Sequence, residues 1–255
     1  MKKLFNKPNS PVVVCIIALV AMLALIVSLI AIHASAEANL ARQQKWTSDK
    51  DSFDRAYEIA ASDKETPDKV LYIPNIVNLL GKTIEEAVSS IGQDAVVVSS
   101  TRISDYETGA INQTIINLNN EQANVKSGTP NIVADTNRSG RIVKISFSCN
   151  IRLLGYGNYS FVDLVDNLHL IERSYNEAGL YLEDGSASAP SNRSAYSTYD
   201  SDGTTLISEK CDFSGSHWQD GRNFKWKSNL NFDYTIANAK GDLSETVRII
   251  TISVS

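Results

Sequence analysis

The stretch RIVKISFS at residues 141–148 returns at the end of the chain as RIITISVS at residues 248–255, with five of the eight positions identical. In both copies apolar and polar residues alternate, which is typical of an antiparallel strand with one buried and one solvated face. The side chains that we expect to point inward are Val143, Ile145, Phe147 and Cys149 in the first copy, and Ile250, Ile252 and Val254 in the second. The repeat predicts two similar strands, each closing one unit of the fold.

The residues that precede the two strands also correspond. VNLLG at residues 77–81 is echoed by IRLLG at 151–155, and each is followed by a predicted helix, strands and a closing hairpin. This order predicts an α+β fold of two tandem modules, each with one helix packed on an antiparallel sheet. We place the modules at residues 68–150 and 151–255, with a long insertion at about 182–224 in the second.

Each predicted helix has a start and a stop signal. The first follows the capping residue Thr83 and ends at Gly92, and the second follows Ser160 and ends at Gly179. Apolar residues recur at helical spacing in both. They are Ile84, Ala87, Val88 and Ile91 in the first helix, and Phe161, Leu164, Leu168, Ile171 and Tyr175 in the second.

The N-terminal part of the chain predicts a membrane anchor. From Val12 to Ile32 every residue is apolar except Ser28, which is long enough to cross a bilayer as a helix. Because Lys2, Lys3 and Lys7 precede this segment, residues 1–11 should stay in the cytoplasm. We therefore expect a transmembrane helix at residues 12–33 of a single-pass plasma-membrane protein, with the C-terminal domain extracytoplasmic.

A cleaved signal peptide is the alternative, because Ala34 and Ala36 have the spacing that a signal peptidase recognises. Residues 34–67 then form a charged juxtamembrane linker with weak helical periodicity, which ends near Pro67. The linker is interpreted as a helical stalk, with a dimer-forming helix as the other possibility.

The insertion at residues 182–224 is rich in Ser, Asp, Gly and Tyr. It is predicted to be either one long surface loop or a long hairpin. Segments of this length are often functional, and aromatic residues suit recognition surfaces. Tyr196, Tyr199 and Trp218 are therefore the predicted contact surface.

Cys149 and Cys211 are the only cysteines that follow the apolar segment. In an extracytoplasmic domain they are able to form one disulfide. A buried free thiol at Cys149 is the other interpretation, because this residue falls on the inward face of its strand.

Motifs for catalysis, metal binding or cofactor binding are missing from the sequence. No paired His or Cys motif predicts a metal site, and no glycine-rich loop predicts a nucleotide cofactor. The net charge of -5 and the absence of a basic cluster in the domain argue against nucleic-acid binding. One enzyme hypothesis stays open, in which Cys211 and His217 converge in a pocket. We expect no catalytic residues, no metal and no cofactor.

The stretch IPNIVNLLGKTIEEAVSSIG at residues 73–92 resembles the opening of PASTA modules through Gly81, Thr83, Glu85, Glu86 and Ala87. It is also similar to the helix start of small envelope proteins with a helix and a three-stranded sheet. Two such units in tandem resemble the architecture of the β-lactamase inhibitory protein. This resemblance implies a binding module.

We therefore expect a membrane-anchored, extracytoplasmic, non-catalytic binding or assembly protein of the cell envelope, whose partner is an envelope protein or a cell-wall component. A PASTA-like module that binds peptidoglycan is one alternative. A protein inhibitor, secreted after signal cleavage, is another, and it predicts a concave sheet face rich in exposed aromatic residues.

Overall fold

The computed structural model describes residues 69–92, 95–118, 128–201 and 203–255. The predicted cytoplasmic N-terminus, transmembrane helix and linker, at residues 1–67, lie outside these ranges. Within them no helix is long and apolar enough to cross a membrane. The α-helices and strands are α1 Ile84–Ile91, β1 Val96–Asp105, β2 Ala110–Asn117, β3 Asn131–Thr136, β4 Ile142–Asn150, α2 Leu170–Glu177, β5 Ser197–Tyr199, β6 Leu206–Gln219, β7 Arg222–Asp233, α3 Thr235–Lys240 and β8 Val247–Val254.

The strands form one antiparallel sheet in the order β1-β2-β3-β4-β8-β7-β6-β5. The predicted fold class, an α+β fold of two tandem modules that each have one helix packed on an antiparallel sheet, is wrong, because this single sheet dominates the described residues and the helices are few. The two repeated strands pair with each other at the centre of the sheet, where Ile145 lies opposite Val254 and Phe147 opposite Ile252. This pairing satisfies the backbone groups along one side of each strand, which would otherwise be two exposed edges.

The inward faces of β4 and β8 were largely predicted from their alternation. Ile145, Phe147 and Cys149 are buried, and so are Ile250, Ile252 and Val254, which join one continuous hydrophobic core. Val143 is only half-buried, and its neighbour Ile142 is buried in its place. The cause is a register shift, because Thr136 pairs with Ile142 while the preceding Asp135 pairs with Lys144.

The second predicted helix is broken into two parts. A π-helical turn at Asp163–Asn167 comes first, and α2 begins only at Leu170. Between them His169 has φ of +50°, a left-handed conformation that no α-helix continues through. Tyr175 of α2 reaches the sheet, where its hydroxyl donates to the Lys227 carbonyl oxygen at 2.5 Å. The helical side of the sheet is therefore its buried side.

Much of the predicted insertion forms a long hairpin of β6 and β7. Gln219 pairs with Arg222, which leaves a two-residue turn of Asp220 and Gly221. Both turn residues have positive φ, +52° and +76°, as the tight turns that match strand twist require. The second closing hairpin is not joined by a simple turn, because α3 lies between β7 and β8.

Candidate binding edge and groove

The two edges of the sheet differ in length. β5 has three residues, whereas β1 has ten and, in the described ranges, pairs only with β2. A long edge strand presents backbone donors and acceptors that a further strand is able to pair with. Short edge strands are one of the ways in which proteins avoid such pairing. Within the described ranges β1 is therefore open along its length, and β6, which β5 covers only from Leu206 to Glu209, is open at residues 211–219.

The open edge also carries exposed apolar side chains. Val96 and Val97 are each 45% exposed and Val98 is 51% exposed. Three consecutive β-branched residues form a strand readily, but here they are only half covered. We define the "β1 edge" as residues 96–102.

A groove of about 570 Å³ lies beside the β1 edge, between α1 and the buried side of the sheet. Its walls are Ile84, Glu85, Val88, Ser89, Val97, Ser100 and Thr114. Ala87 is the one residue of α1 that is fully buried, and Ile84, Val88 and Ile91 are partly buried against the core. On the sheet side, the hydroxyl oxygens of Ser100 and Thr114 lie 3.2 Å apart.

The start of α1 is held firmly against the sheet. Thr83 and Glu86 form a reciprocal capping box, and the Glu86 carboxylate also binds the Arg141 guanidinium at 3.0 Å. The Gly81 amide donates to the Ile142 carbonyl oxygen at 2.8 Å. The groove is therefore bounded by an anchored helix and not by a loop.

Glu85 places a negative charge at the mouth of the groove. Its own backbone amide and the Thr83 hydroxyl donate to its carboxylate and lower its pKa. The side chain is exposed, so it stays ionised at neutral pH and remains available to a cationic group.

Two register shifts bound the regular part of the β1 edge. The pairing with β2 slips between Val97 and Ser99 and again between Arg102 and Asp105. Between these shifts, residues 99–102 pair regularly with β2. A partner strand would form regular backbone pairing only along residues 99–102, because bulges bend a strand and interrupt its hydrogen-bond ladder.

The predicted contact surface does not come together as one patch. Tyr196 is 7% exposed, and its ring stacks on Phe161 with centroids 4.8 Å apart, which places it in the core. Tyr199 is half-buried on β5. Trp218, near the β6–β7 turn, is 68% exposed. The local sequence is polar around all three aromatic residues, and only tertiary packing distinguishes them.

The predicted disulfide is not formed, and both thiols are free. Cys149 is opposite Ile250, Ile250 is opposite Leu230, and Leu230 is opposite Cys211, so the two cysteines lie in one row three strands apart. This separation is about 14 Å, well beyond the reach of a disulfide. Burial raises the pKa of the Cys149 thiol, which stays protonated at neutral pH.

The proposed Cys211–His217 pocket does not exist. Both residues lie on the continuous strand β6, six positions apart, which corresponds to about 20 Å. In the described part of the chain, no three His, Cys, Asp or Glu side chains are grouped closely enough to bind a metal ion. Among the described residues, Cys211 and His217 therefore form neither a nucleophilic pair nor part of a metal site.

The solvent-facing side of the sheet is polar. One row crosses it from β4 to β6 through Ser148, Thr251, Asn229 and Asp212. The Thr251 hydroxyl donates to Ser148 at 3.0 Å, and the Asn229 amide donates to Asp212 at 2.6 Å. Across the described residues, this row is not the aromatic-rich face that a protein inhibitor predicts.

Sequence reasoning identified β1 and α1 separately but missed the site between them. The signal that was available is the uninterrupted run of three valines, which does not alternate as a half-buried strand does. The sequence matches no known protein family, no curated protein and no solved structure.

Proposed function

We propose that the protein is a non-catalytic binding or assembly protein of the cell envelope, anchored in the membrane through residues 12–32. Its binding surface is the β1 edge together with the groove beside α1. The partner adds an extended segment to β1, and this segment continues the antiparallel or parallel ladder. Alternate side chains of the segment then enter the groove.

The observation that carries this proposal is the apolar surface of the β1 edge. In the described ranges β1 pairs with β2 alone and exposes three consecutive valines. One of them, Val97, lines the groove together with Ile84 and Val88 of α1. Fully burying a valine contributes about 1.5–3 kcal/mol, so covering three half-exposed valines favours binding by several kcal/mol.

The test is photo-crosslinking of the full-length chain in membranes. A photoreactive amino acid replaces Val97 at the groove, and the matched control carries it at Thr198 on β5, which is also exposed. We expect a covalent adduct from position 97 and none from position 198. Absence of an adduct at position 97 would refute the proposal.

A second pair of variants tests the groove itself. Ser89 lines the groove, whereas the neighbouring Ser90 bonds Lys82 and does not line it. Ser89→Trp should fill the groove and abolish the adduct at position 97, while Ser90→Trp should leave the adduct unchanged. Equal yields from both variants would show that the groove is not used.

Binding of cell-wall glycan to the solvent-facing side of the sheet is a second candidate function. The exposed indole of Trp218 favours it, because aromatic faces and neighbouring polar side chains suit sugar rings. The test is a pull-down on purified peptidoglycan with the full-length chain and its Trp218→Ala variant. Recovery of neither protein, or equal recovery of both, would remove this candidate.

A further inference from the structure

We infer that the segment added to the β1 edge presents an apolar, a basic and an acidic residue to the groove, at alternate positions along the chain. This inference rests on the proposed function and names the chemistry of its partner. In the direction of β1 the pattern is apolar-x-basic-x-acidic, where x points to the other side of the sheet. A segment that runs antiparallel to β1 carries the same pattern in the reverse order.

The helix α1 runs antiparallel to β1 along the groove. Its start lies beside β4, because the Ile142 amide donates to the Lys82 carbonyl oxygen at 2.9 Å. Ile142 belongs to the row of paired residues that crosses the sheet through β3 and β2 to Arg102. The end of α1 leads into β1, where the Ala95 amide donates to the Gly92 carbonyl oxygen at 3.2 Å. The start of α1 is therefore at the Arg102 end of the groove, and its end is where β1 begins.

The groove is apolar at the end where β1 begins. Val97 of β1 lines it together with Val88 of α1, which is partly buried against the core. Val97 is 45% exposed, so an apolar side chain of the partner would cover it further. An ionised side chain would lose hydration between the two valines, which is unfavourable. The partner residue at this level is therefore apolar.

Glu85 determines the residue at the next level. It lies in the first turn of α1, is exposed and lines the groove. Its neighbour Glu86 binds Arg141, whereas no ion pair among the described residues includes Glu85. An exposed carboxylate without a counter-ion is complementary to Lys or Arg of a partner. The second groove-facing residue of the segment is therefore basic.

Arg102 determines the residue at the third level. Ser100 points to the groove side with Thr114, and the alternation of a strand places Arg102 on the same side two residues later. Arg102 is exposed, and within the described ranges no ion pair includes it. Arg102 and Glu85 do not bind each other, so both charges remain available to a partner. The third groove-facing residue of the segment is therefore acidic.

The three levels have the spacing of a regular strand. Val97 and Ser100 pair with Ile116 and Thr114, which are two residues apart on β2, because the slip after Val97 adds one residue to β1. Ser100 and Arg102 are also two residues apart. A partner strand without a bulge therefore meets the three levels with alternate side chains. Exchange of its two charges would place an acidic residue near Glu85 and a basic residue near Arg102, which disfavours binding.

The experiment uses the purified full-length chain in detergent, with an apolar photoreactive residue at position 97 that traps weakly bound probes covalently. The probes are biotinylated peptides of identical composition. The Lys-centred pair is Thr-Val-Thr-Lys-Thr-Glu-Thr and its reverse, Thr-Glu-Thr-Lys-Thr-Val-Thr, and the Glu-centred pair has Lys and Glu exchanged. The better Lys-centred peptide should be captured about five-fold more than either Glu-centred peptide, because opposite charges then face each other.

Exchange of the protein's own charges should reverse this preference. The double variant Glu85→Lys with Arg102→Glu keeps the net charge and should capture a Glu-centred peptide about five-fold more than either Lys-centred one. Such a gain does not arise from misfolding. The matched control, Glu183→Lys with Lys210→Glu, exchanges two exposed charges that do not line the groove, and it should keep the preference of the unmodified sequence.

The outcomes separate this inference from the proposed function. Equal capture of all the peptides, capture of none, or a preference that the double variant does not reverse would overturn the inference. Reversal by the control variant would overturn it as well. In each of these cases strand addition stands if position 97 still forms an adduct with a protein in membranes. If it forms none there, the proposed function fails too.

Discussion

A buried ion pair fastens the short edge strand β5 to β6, and its removal is expected to destabilise the fold. Glu209 of β6 is nearly buried and accepts hydrogen bonds from Arg193 Nε at 3.1 Å and Nη2 at 3.0 Å. It also accepts from the Tyr234 hydroxyl at 2.6 Å. Arg193 lies in the turn that leads into β5, so this pair fastens β5 to β6.

We expect Arg193→Ala to lower the free energy of unfolding by about 3 kcal/mol, because removal of one partner leaves a charge buried without its counter-ion. Such losses run from about 3 to 5 kcal/mol, and the lower value applies here since Tyr234 and Ser197 still donate to the carboxylate. For a domain of this size the melting temperature should fall by about 6–12 °C.

The measurement is thermal and denaturant unfolding of the full-length protein in detergent, followed by tryptophan fluorescence. The matched control is Lys240→Ala, which breaks an ion pair of similar length, 3.1 Å, between largely exposed side chains. This control should change stability by less than about 1 kcal/mol. The double variant Arg193→Met with Glu209→Leu should recover most of the loss, because no buried charge remains. A loss in Arg193→Ala no larger than in Lys240→Ala would refute the reasoning.

Three further predictions concern the core, the edge and the thiols. Gly215→Ala should destabilise the protein by about 1–3 kcal/mol, because its Cβ would lie 2.7 Å from the buried ring of Trp226, as denaturant unfolding would detect. With the photoreactive residue at Ser100, which also lines the groove, Val97→Thr should reduce the crosslinking yield about five-fold without lowering the melting temperature, since Thr keeps the shape of the half-exposed Val while losing its apolar burial. Cys149 should react with maleimide only on unfolding, because burial raises its pKa and blocks access; rapid labelling of the native protein would contradict this.

The central strands could be predicted from the sequence because their signal is local. Alternation alone placed Ile145, Phe147, Ile250 and Ile252 in the core. The prediction that Val143 is buried was wrong because a register shift depends on the partner strand, and the local sequence pattern contains no information about that strand. The prediction of one continuous second helix was wrong for a similar reason. The apolar spacing continues through His169, although the backbone conformation of this residue interrupts the helix.

The candidate site could not be predicted, although both of its walls were. Strand β1 and the residues Ile84 and Val88 of α1 were recognised from β-branched composition and helical spacing. Which strand becomes an edge is decided by pairing between distant segments, here by β4 with β8. The same non-local packing buries Tyr196 and leaves Trp218 exposed, which composition does not distinguish.

The β1 edge is open, but it is not an unprotected edge of the kind that drives aggregation. Its pairing with β2 slips on both sides of residues 99–102, and Arg102 adds a charge that discourages indefinite stacking. A strand with three exposed valines and no such features would favour fibres. The combination allows a short, defined partner strand and opposes a long one. This limit on length favours one short partner segment over an open array of strands.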